Sequence, residues 1–297
     1  MRTITVHDGA AASSFNVHAF GGGSPVFAFV GGVHGNEPAG VSTANLLVEY
    51  FEKHGLIRGT AVVVPAVNPT AAHVRKRCSP VDDADLNRCF PGNPEGSLTC
   101  RIADALWRET EDADYIIDLH GCDCESLPYL LTICDEFPIV RDLAEKIPMG
   151  IAVQSKGTGG QLFVEACRRR GQAAVVIELP GVKAAEQCFR ALLEMLRIHG
   201  MIPGEPSSKP PVFYGGLKRL RLTEESTFEP CAVRGTVVEQ GAVIGWADGK
   251  PVRMPENGLM LNICAEPRCF RSRDWCCAYA EVRAGKDDVG TCNQGIF

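Results

Sequence analysis

The stretch Val26–Gly40 reads VFAFVGGVHGNEPAG and contains the elements that decide the fold. A short apolar run is broken by two glycines. The chain then carries His34 and Glu37 before Ala39–Phe51, where apolar residues recur with helical spacing. A continuous apolar run beside an amphipathic helix is typical of a strand buried on both faces of an α/β sheet. This stretch therefore predicts a strand, a turn bearing polar side chains, and a helix.

The same alternation repeats through the first two thirds of the chain. Apolar runs predict further strands at Ala61–Val67, Tyr115–Leu119 and Ala173–Leu179. Periodic stretches predict helices at Thr99–Glu109 and Ala184–His199. Continuous apolar strands separated by helices indicate a largely parallel sheet covered on both faces. In such sheets the ligand site lies at the carboxyl ends of the strands.

The last third of the chain has a different character. Met201–Pro211 (MIPGEPSSKPP) is rich in Pro, Gly and Ser, which is typical of a linker. Beyond it, Val212–Phe297 carries short alternating runs separated by glycines, a pattern that favours a small all-β domain. We therefore predict a large α/β domain over residues 1–204 and a small β domain over residues 205–297.

The composition argues against several classes of protein. Of the 297 residues, 45% are hydrophobic and 22% are charged, as in an ordinary soluble globular protein. The formal net charge of -6 argues against a general electrostatic grip on nucleic acid. No run approaches the roughly 20 apolar residues of a membrane span. The amino-terminal MRTITVHDGA lacks the apolar core of a signal peptide, so the cytoplasm is the expected location.

The chain has 14 cysteines, yet none falls in a CxxC pair. Structural zinc sites typically use that spacing. We interpret most of the cysteines as reduced thiols that pack as small hydrophobic residues. Metal ligation by cysteine is the less favoured alternative.

Metal-type side chains follow the predicted strands. His34 and Glu37 are three residues apart on a turn entering a helix, so both can face one ion. His120 directly follows the strand at Tyr115–Leu119. Two histidines and one carboxylate form a common catalytic zinc set, in which zinc lowers the pKa of water toward about 7 and polarises a carbonyl group. Taken singly, each residue is also compatible with a structural role.

Two further carboxylates accompany this set. Glu178 lies at the end of an apolar run, where a buried carboxylate needs a partner or a task. Near zinc it would take a proton from water and pass it to the leaving nitrogen; pairing with a core arginine is the alternative. Asp118 would orient His120, because zinc-bound imidazoles usually donate their second N–H to an acceptor. The alternative is a strand position that points Asp118 away.

A basic segment lies between these blocks. Arg75, Lys76, Arg77 and Arg88 fall within fourteen residues that also contain Asn87. Arginine binds a carboxylate through two parallel N–H groups, and asparagine can add a hydrogen bond to the same group. Arg77 would instead suit a developing oxyanion. Composition alone favours a solvated basic loop.

Four blocks in the order GGVHGNEPAG, DLNRCFPG, IIDLHG and VIELPG resemble the succinylglutamate desuccinylase/aspartoacylase family of the zinc carboxypeptidase superfamily. They span Gly31 to Gly181. The resemblance implies a carboxypeptidase-like three-layer α/β/α sandwich with a mixed, largely parallel sheet. It also implies a barrel-sandwich-like β domain at the carboxyl end. Because the lysine-bearing hairpin of a lipoyl carrier is not evident, we expect no attached prosthetic group.

The resemblance assigns a metal set and a base. His34, Glu37 and His120 are similar to the family's zinc ligands, which implies one zinc ion per chain. Glu178, in VIELPG, is similar to its general base.

The resemblance also turns the basic segment into a substrate site. Asn87 and Arg88 are similar to the pair that binds the substrate α-carboxylate. Arg77 is similar to the arginine that polarises the scissile carbonyl, with the nearby Arg75 as the alternative for that role.

The implied activity is zinc-dependent hydrolysis of the amide bond in an N-acyl amino acid, a small-molecule substrate. A zinc metallocarboxypeptidase acting on short peptides is the alternative within the same chemistry. A non-catalytic metal-binding protein is the alternative outside it. We expect neither nucleic acid nor membrane as a partner, and a homo-oligomer is left open. The sequence does not specify the acyl group or the amino acid.

Overall fold

The computed structural model describes residues 1–122, 125–207 and 209–283. The chain forms two compact units. The first contains the described residues within Met1–Cys124 and Pro128–Val212, and the second contains those within Glu125–Leu127 and Phe213–Phe297.

The first unit alternates strands and helices. Its strands are β1 Arg2–His7, β2 Ala12–Gly22, β3 Val26–Gly31, β4 Gly59–Val64, β5 Tyr115–Cys122, β6 Tyr129–Thr132, β7 Ile151–Gln154 and β8 Ala173–Pro180. Its helices are α1 Pro38–His54, α2 Pro69–Val74, α3 Leu98–Glu109, α4 Pro138–Ala144, α5 Leu162–Arg170 and α6 Ala185–Ile198, with short 3₁₀ turns at Leu86–Arg88 and Val182–Ala184. Among the described residues, no helix is both long enough and apolar enough to cross a membrane.

The strands of the first unit pair in the order β1-β2-β4-β3-β5-β8-β6-β7. The central pairs β4-β3, β3-β5 and β5-β8 are parallel, and so is β6-β7. The pairs β1-β2, β2-β4 and β8-β6 are antiparallel. The carboxyl ends of β3, β5 and β8 therefore meet at one edge of the sheet, where the amino end of β6 joins them.

The helices cover the sheet because their apolar residues recur on one face. In α1 the buried positions include Ala44, Leu47, Val48 and Phe51, spaced by three and four residues. Leu47 is completely buried. Replacing it with alanine would cost about 2–5 kcal/mol of stability. Packing of this apolar face, more than helix propensity, holds α1 on the sheet.

The predicted fold class is confirmed: a mixed, largely parallel sheet is covered by helices, and an all-β part follows at the carboxyl end. The apolar runs and periodic stretches fall on β3, β4, β5, β8, α1, α3 and α6. The outer strands lacked such a signal. In β2 only every second residue is buried at the start of the strand, since it lies toward the edge of the sheet.

The second unit consists of short antiparallel strands. They are β9 Val212–Arg221, β10 Ser226–Pro230, β11 Val237–Val238, β12 Val243–Ala247, β13 Lys250–Arg253, β14 Gly258–Ile263, β15 Arg268–Phe270 and β16 Trp275–Glu281. They pair in the orders β9-β16-β14-β11 and β13-β12-β10-β15. The backbone N–H of Leu127 donates to the carbonyl of Leu261, which attaches Glu125–Leu127 to this unit.

Cysteines contribute to the core of the second unit. Cys264, Cys276 and Cys277 are buried there beside Phe228 and Ile244. All the cysteines that the structure describes are free thiols. Burial is the main cause that raises the pKa of Cys264, so this thiol stays protonated and packs as an apolar residue.

Candidate active site

The turn after β3 is formed by residues with little steric freedom. Gly32 has a positive φ of 66°, and a Cβ there would lie 2.8 Å from the Cα of Ala66. The backbone N–H of Glu37 donates to the carbonyl of His34 at 3.3 Å, which closes the turn directly before α1. Pro38 then opens α1, and Glu37 stands at its amino-terminal cap position. His34 and Glu37 are thereby held on the same side of the turn.

His34, Glu37 and His120 meet at the carboxyl ends of β3 and β5. Each offers a ligand atom, and these three atoms lie within 4.8 Å of one another. The Nδ1 atom of His34 is 2.8 Å from Oε1 of Glu37, and the Nδ1 atom of His120 is 2.9 Å from Oε2. Both histidines are almost completely buried, at 2% and 3% exposure. The structure thus brings together the three residues that the sequence suggested as metal ligands.

Each imidazole contacts a second carboxylate through its Nε2 atom. Nε2 of His34 lies 3.0 Å from Oδ1 of Asp85, and Nε2 of His120 lies 3.1 Å from Oδ2 of Asp118. The second contact is an ion pair without good hydrogen-bond direction, since both Asp118 oxygens lack a hydrogen-bond partner among the described residues. An N–H of His34 directed at Asp85 leaves Nδ1 of His34 able to bind a cation, so Asp85 sets the tautomer of His34. Asp118 places a carboxylate next to Nε2 of His120.

Sequence reasoning suggested Asp118 but missed Asp85. Its Oδ2 atom also accepts a hydrogen bond from Nε of Arg77 at 3.1 Å, and Oδ1 accepts one from the backbone N–H of Asn87 at 2.9 Å. Asp85 therefore links His34 to two residues of the basic segment. The available signal was its place as the first residue of DLNR, but nothing local indicates a contact with a histidine 51 residues earlier.

Electrostatics in this group favours ionised carboxylates beside protonated histidine. Burial opposes ionisation of Glu37, but hydrogen bonds from His120 and His34 outweigh it and lower the pKa of Glu37. Burial likewise opposes ionisation of Asp85, and its contact with His34 lowers the pKa of Asp85 below the usual range. For His120, burial is outweighed by Asp118 and Glu37, which raise its pKa well above the ordinary value. The ionised carboxylates of Glu37 and Asp85 can therefore attract a cation.

Glu178 lies one strand away from His120. The two residues are direct partners in the parallel register of β5 and β8, so their side chains share one face of the sheet. Burial is the main cause that raises the pKa of Glu178 to about 7, with the neighbouring negative charge of Glu37 adding to it. A carboxyl group with this pKa can both accept and release a proton near neutral pH.

Residues of the basic segment also contact Glu37 and His120. NH1 of Arg77 lies 3.4 Å from Oε1 of Glu37, so Arg77 is an arginine of this segment that contacts the ligand group. Asn87 is buried, its Nδ2 lies 3.4 Å from Nε2 of His120, and its Oδ1 accepts a hydrogen bond from the N–H of Leu162 at 3.0 Å. Arg88 is exposed, and its NH1 donates to the carbonyl of Asn87 at 2.6 Å.

Residues 24–197, more than half of the chain, match the model of the succinylglutamate desuccinylase/aspartoacylase catalytic domain. The chain belongs to the succinylglutamate desuccinylase/aspartoacylase family. The resemblance drawn from the four sequence blocks is thereby confirmed. The matched residues contain every side chain of the group described above.

A curated relative in this family is N-alpha-acetyl-L-2,4-diaminobutyric acid deacetylase of Halomonas elongata. It is 29% identical over 198 residues, which cover 62% of this chain. The match spans 57% of the length of that relative.

Solved structures of the family have the same fold. An aspartoacylase family protein from Mesorhizobium loti has a TM-score of 0.80 at 23% identity, covering 96% of this chain and 95% of its own. A succinylglutamate desuccinylase/aspartoacylase from Rhodobacter sphaeroides has a TM-score of 0.77 at 22% identity, with coverages of 95% and 96%. The product-bound ectoine utilization protein EutE (DoeB) from Ruegeria pomeroyi has a TM-score of 0.77 at 20% identity, with coverages of 94% and 95%.

Proposed function

We propose that the protein is a zinc-dependent hydrolase that cleaves the amide bond of an N-acyl amino acid. The observation that carries the proposal is the meeting of His34, Glu37 and His120, with ligand atoms within 4.8 Å of one another, next to Glu178 in the strand register. Membership of a deacylase family, and a relative named as a deacetylase, support the amide as the bond cleaved.

The donor set fits a single zinc ion. His34 and His120 would bind through their Nδ1 atoms and Glu37 through its carboxylate, a ligand set typical of catalytic zinc. The carboxylates of Asp85 and Asp118 support the two imidazoles from behind. Held there, zinc supplies a Lewis acid for the scissile carbonyl and lowers the pKa of water in the site toward about 7.

Glu178 would move the protons of the reaction. Its carboxylate takes a proton from the attacking water as the water oxygen bonds to the acyl carbon. It then delivers that proton to the amide nitrogen as the carbon–nitrogen bond breaks. The products are a carboxylic acid and a free amino acid. In the metal-free site, burial raises the pKa of Glu178 to about 7, which supports a role in proton transfer near neutral pH.

The basic segment would hold the substrate. Asn87 and Arg88 offer an amide and an exposed guanidinium side by side, which together match the α-carboxylate of an amino acid. Arg77, next to Glu37, would donate to the acyl oxygen as negative charge develops on it. Asp85 holds Arg77 and Asn87 in position, because it accepts hydrogen bonds from the Arg77 side chain and from the backbone of Asn87.

The deciding experiment combines metal content with activity. The purified protein is analysed for bound metals and assayed before and after chelation. The panel contains N-acetyl and N-succinyl amino acids, N-acetyl-2,4-diaminobutyrate among them, and short peptides. We expect about one zinc per chain and chelator-sensitive release of free amino acid from acylated substrates. Faster release from peptides would instead establish a carboxypeptidase. Absence of bound metal, with no activity gained on adding zinc, would overturn the proposal.

A further inference from the structure

The loop before α5 is fixed to the segment that carries Asn87 and Arg88. The backbone N–H of Phe90 donates to the carbonyl of Gly160 at 3.1 Å, and the N–H of Leu162 donates to Oδ1 of Asn87 at 3.0 Å. At Gly160, where φ is +80°, a Cβ would lie 2.4 Å from the carbonyl oxygen of Arg88. Only glycine permits this approach. Residues 160 and 162 are therefore both held against the segment that carries Asn87 and Arg88.

Gln161 lies between these two attachment points. It occupies the amino-terminal cap position of α5 with extended backbone angles, and its side chain forms no capping hydrogen bond. Its backbone carbonyl accepts a hydrogen bond from the N–H of Glu165 at 2.9 Å. The main chain of Gln161 is thus engaged in the helix, and its side chain is not required there.

The side-chain amide oxygen of Gln161 is a hydrogen-bond acceptor that is unpaired among the described residues. Within the described part of the chain, Oε1 is shielded from water and has no hydrogen-bond partner. Shielded acceptors without a donor are uncommon in folded proteins, since leaving one unpaired costs stability. The torsion that turns the terminal amide is broad and soft, so Oε1 can rotate toward a donor without a change of backbone.

We propose that Gln161 determines substrate specificity by accepting a hydrogen bond from an ammonium or N–H group on the side chain of the amino acid. This inference rests on the proposed function, because it takes Asn87 and Arg88 as the holders of the α-carboxylate. We place the substrate's side chain next to this loop because the loop is fixed to the residues that would hold the α-carboxylate. The class selected is an N-acyl amino acid with a cationic or N–H-bearing side chain.

In this orientation Gln161 favours a donor on the substrate. The unpaired atom is an acceptor, whereas a second carboxylate on the substrate would need a cation or an N–H donor in front of it. An ammonium group donates up to three hydrogen bonds and satisfies an amide oxygen with a charge-assisted contact.

The test uses pairs of substrates with matched shape. N-acetyl-ornithine is compared with N-acetyl-norleucine, and N-acetyl-2,4-diaminobutyrate with N-acetyl-norvaline, so that ammonium replaces methyl. For the wild type, we expect kcat/KM to favour at least one ammonium substrate over its partner by about tenfold, since a charge-assisted hydrogen bond has about that effect. Gln161→Leu keeps the approximate volume and should abolish the preference by raising KM for the ammonium substrates.

Two further variants separate recognition from folding. Gln161→Glu places a carboxylate at the same position and should increase the preference for ammonium. Thr158→Val alters an exposed residue of the same loop and should leave the preference unchanged. Thermal unfolding of each variant establishes that it is folded. A wild type without preference in either pair, or a Gln161→Leu variant that retains it, would overturn the assignment.

Binding of the free amino acids gives a readout independent of turnover. Calorimetry with ornithine and norleucine, and with diaminobutyrate and norvaline, should show the same Gln161-dependent preference. If no acylated substrate is hydrolysed but the preference in binding is present, the proposed function fails and the role of Gln161 stands. If hydrolysis is robust and neither binding nor turnover depends on Gln161, the proposed function stands and this inference fails.

Discussion

Two histidines at opposite ends of the same sheet have their pKa values shifted in opposite directions by their neighbours. His120, at the carboxyl end of β5, has its pKa raised because Asp118 and Glu37 outweigh the effect of burial. His199, at the amino ends, packs against the rings of Phe27 and Tyr115, with ring centroids 4.9 and 5.0 Å away. Burial, followed by the charges of Lys146 and Arg58, lowers the pKa of His199 to about 4.

Burial alone does not assign a function to a histidine. Both ends of the sheet enclose an imidazole. The carboxyl end places the carboxylates of Glu37 and Asp118 in contact with the imidazole of His120. At the amino end, His199 packs against aromatic rings, and the charges that shift its pKa are positive. The carboxyl end therefore suits the proposed metal site, whereas the surroundings of His199 suit packing.

Replacement of Glu178 should change turnover more than any other property of the protein. Replacing Glu178 with glutamine removes the proton acceptor while preserving shape, so kcat should fall by about 10²–10⁴-fold. The metal content should stay unchanged, because Glu178 is not one of the three proposed ligands. His199→Phe, at the other end of the same sheet, serves as the control and should keep the wild-type rate. A Glu178→Gln enzyme with full activity would exclude Glu178 as the base.

The next effect is on stability in the absence of metal. The folded-state pKa of Glu178, about 7, exceeds its ordinary value of 4.5. Protonation of Glu178 thus favours the fold below pH 4.5, and this contribution is lost as the pH rises through about 7. Above that pH, metal-free Glu178→Gln should be more stable than the wild type by up to about 3 kcal/mol. Chemical unfolding of both metal-free proteins at pH 5 and pH 8 measures this difference in stability. If the difference does not grow with pH, burial is not the cause of the raised pKa of Glu178.

A smaller effect concerns the support of His34. Asp85→Asn removes the negative charge behind this imidazole, and the affinity for zinc should fall by about 10–100-fold. Asp82→Asn is the matched control, because Asp82 lies in the same segment but accepts hydrogen bonds from Thr99 at the start of α3. Competition with a chelator reports both affinities. Equal zinc affinity of the Asp85 variant and the control would show that Asp85 does not act through His34.

The smallest expected effect is the dependence of stability on pH that His199 causes at the amino end of the sheet. His199 is neutral in the fold at pH values where it would be protonated in the unfolded chain, so its contribution is present above pH 6.5 and lost as the pH falls toward 4. Because His199 is only half-buried, we expect this loss to be roughly 1–2 kcal/mol. His199→Phe should retain the packing against Phe27 and lose less stability than the wild type between pH 6.5 and 4.5. An identical loss in both proteins would contradict the pKa assigned to His199.

Much of the fold was predictable because its signals are local. The apolar runs at β3, β5 and β8 and the periodic stretches at α1 and α6 are properties of neighbouring residues, and the structure places these elements within a few residues of the expected bounds. The short strands β6 and β7 were not predicted, since four residues carry too little pattern to distinguish a strand from a loop.

The candidate site was predictable only where residue type and family resemblance coincide. His34 and Glu37 are close in sequence, so one turn suffices to bring them together. The contact between Asp85 and His34 and the unpaired amide oxygen of Gln161 depend on how distant loops pack, and no local pattern encodes either one.

By itself, the sequence determined the fold class, the family, and the residue types available for metal binding and proton transfer, because periodicity and motif spacing are written along the chain. The tertiary structure alone decided which of those residues meet. Parallel pairing of β3, β5 and β8 aligns three separate strand ends, and this alignment places His120 beside Glu37 across 83 residues of sequence. The tertiary structure also set the sign of each pKa shift, because that sign depends on which charges surround a buried group rather than on the group itself.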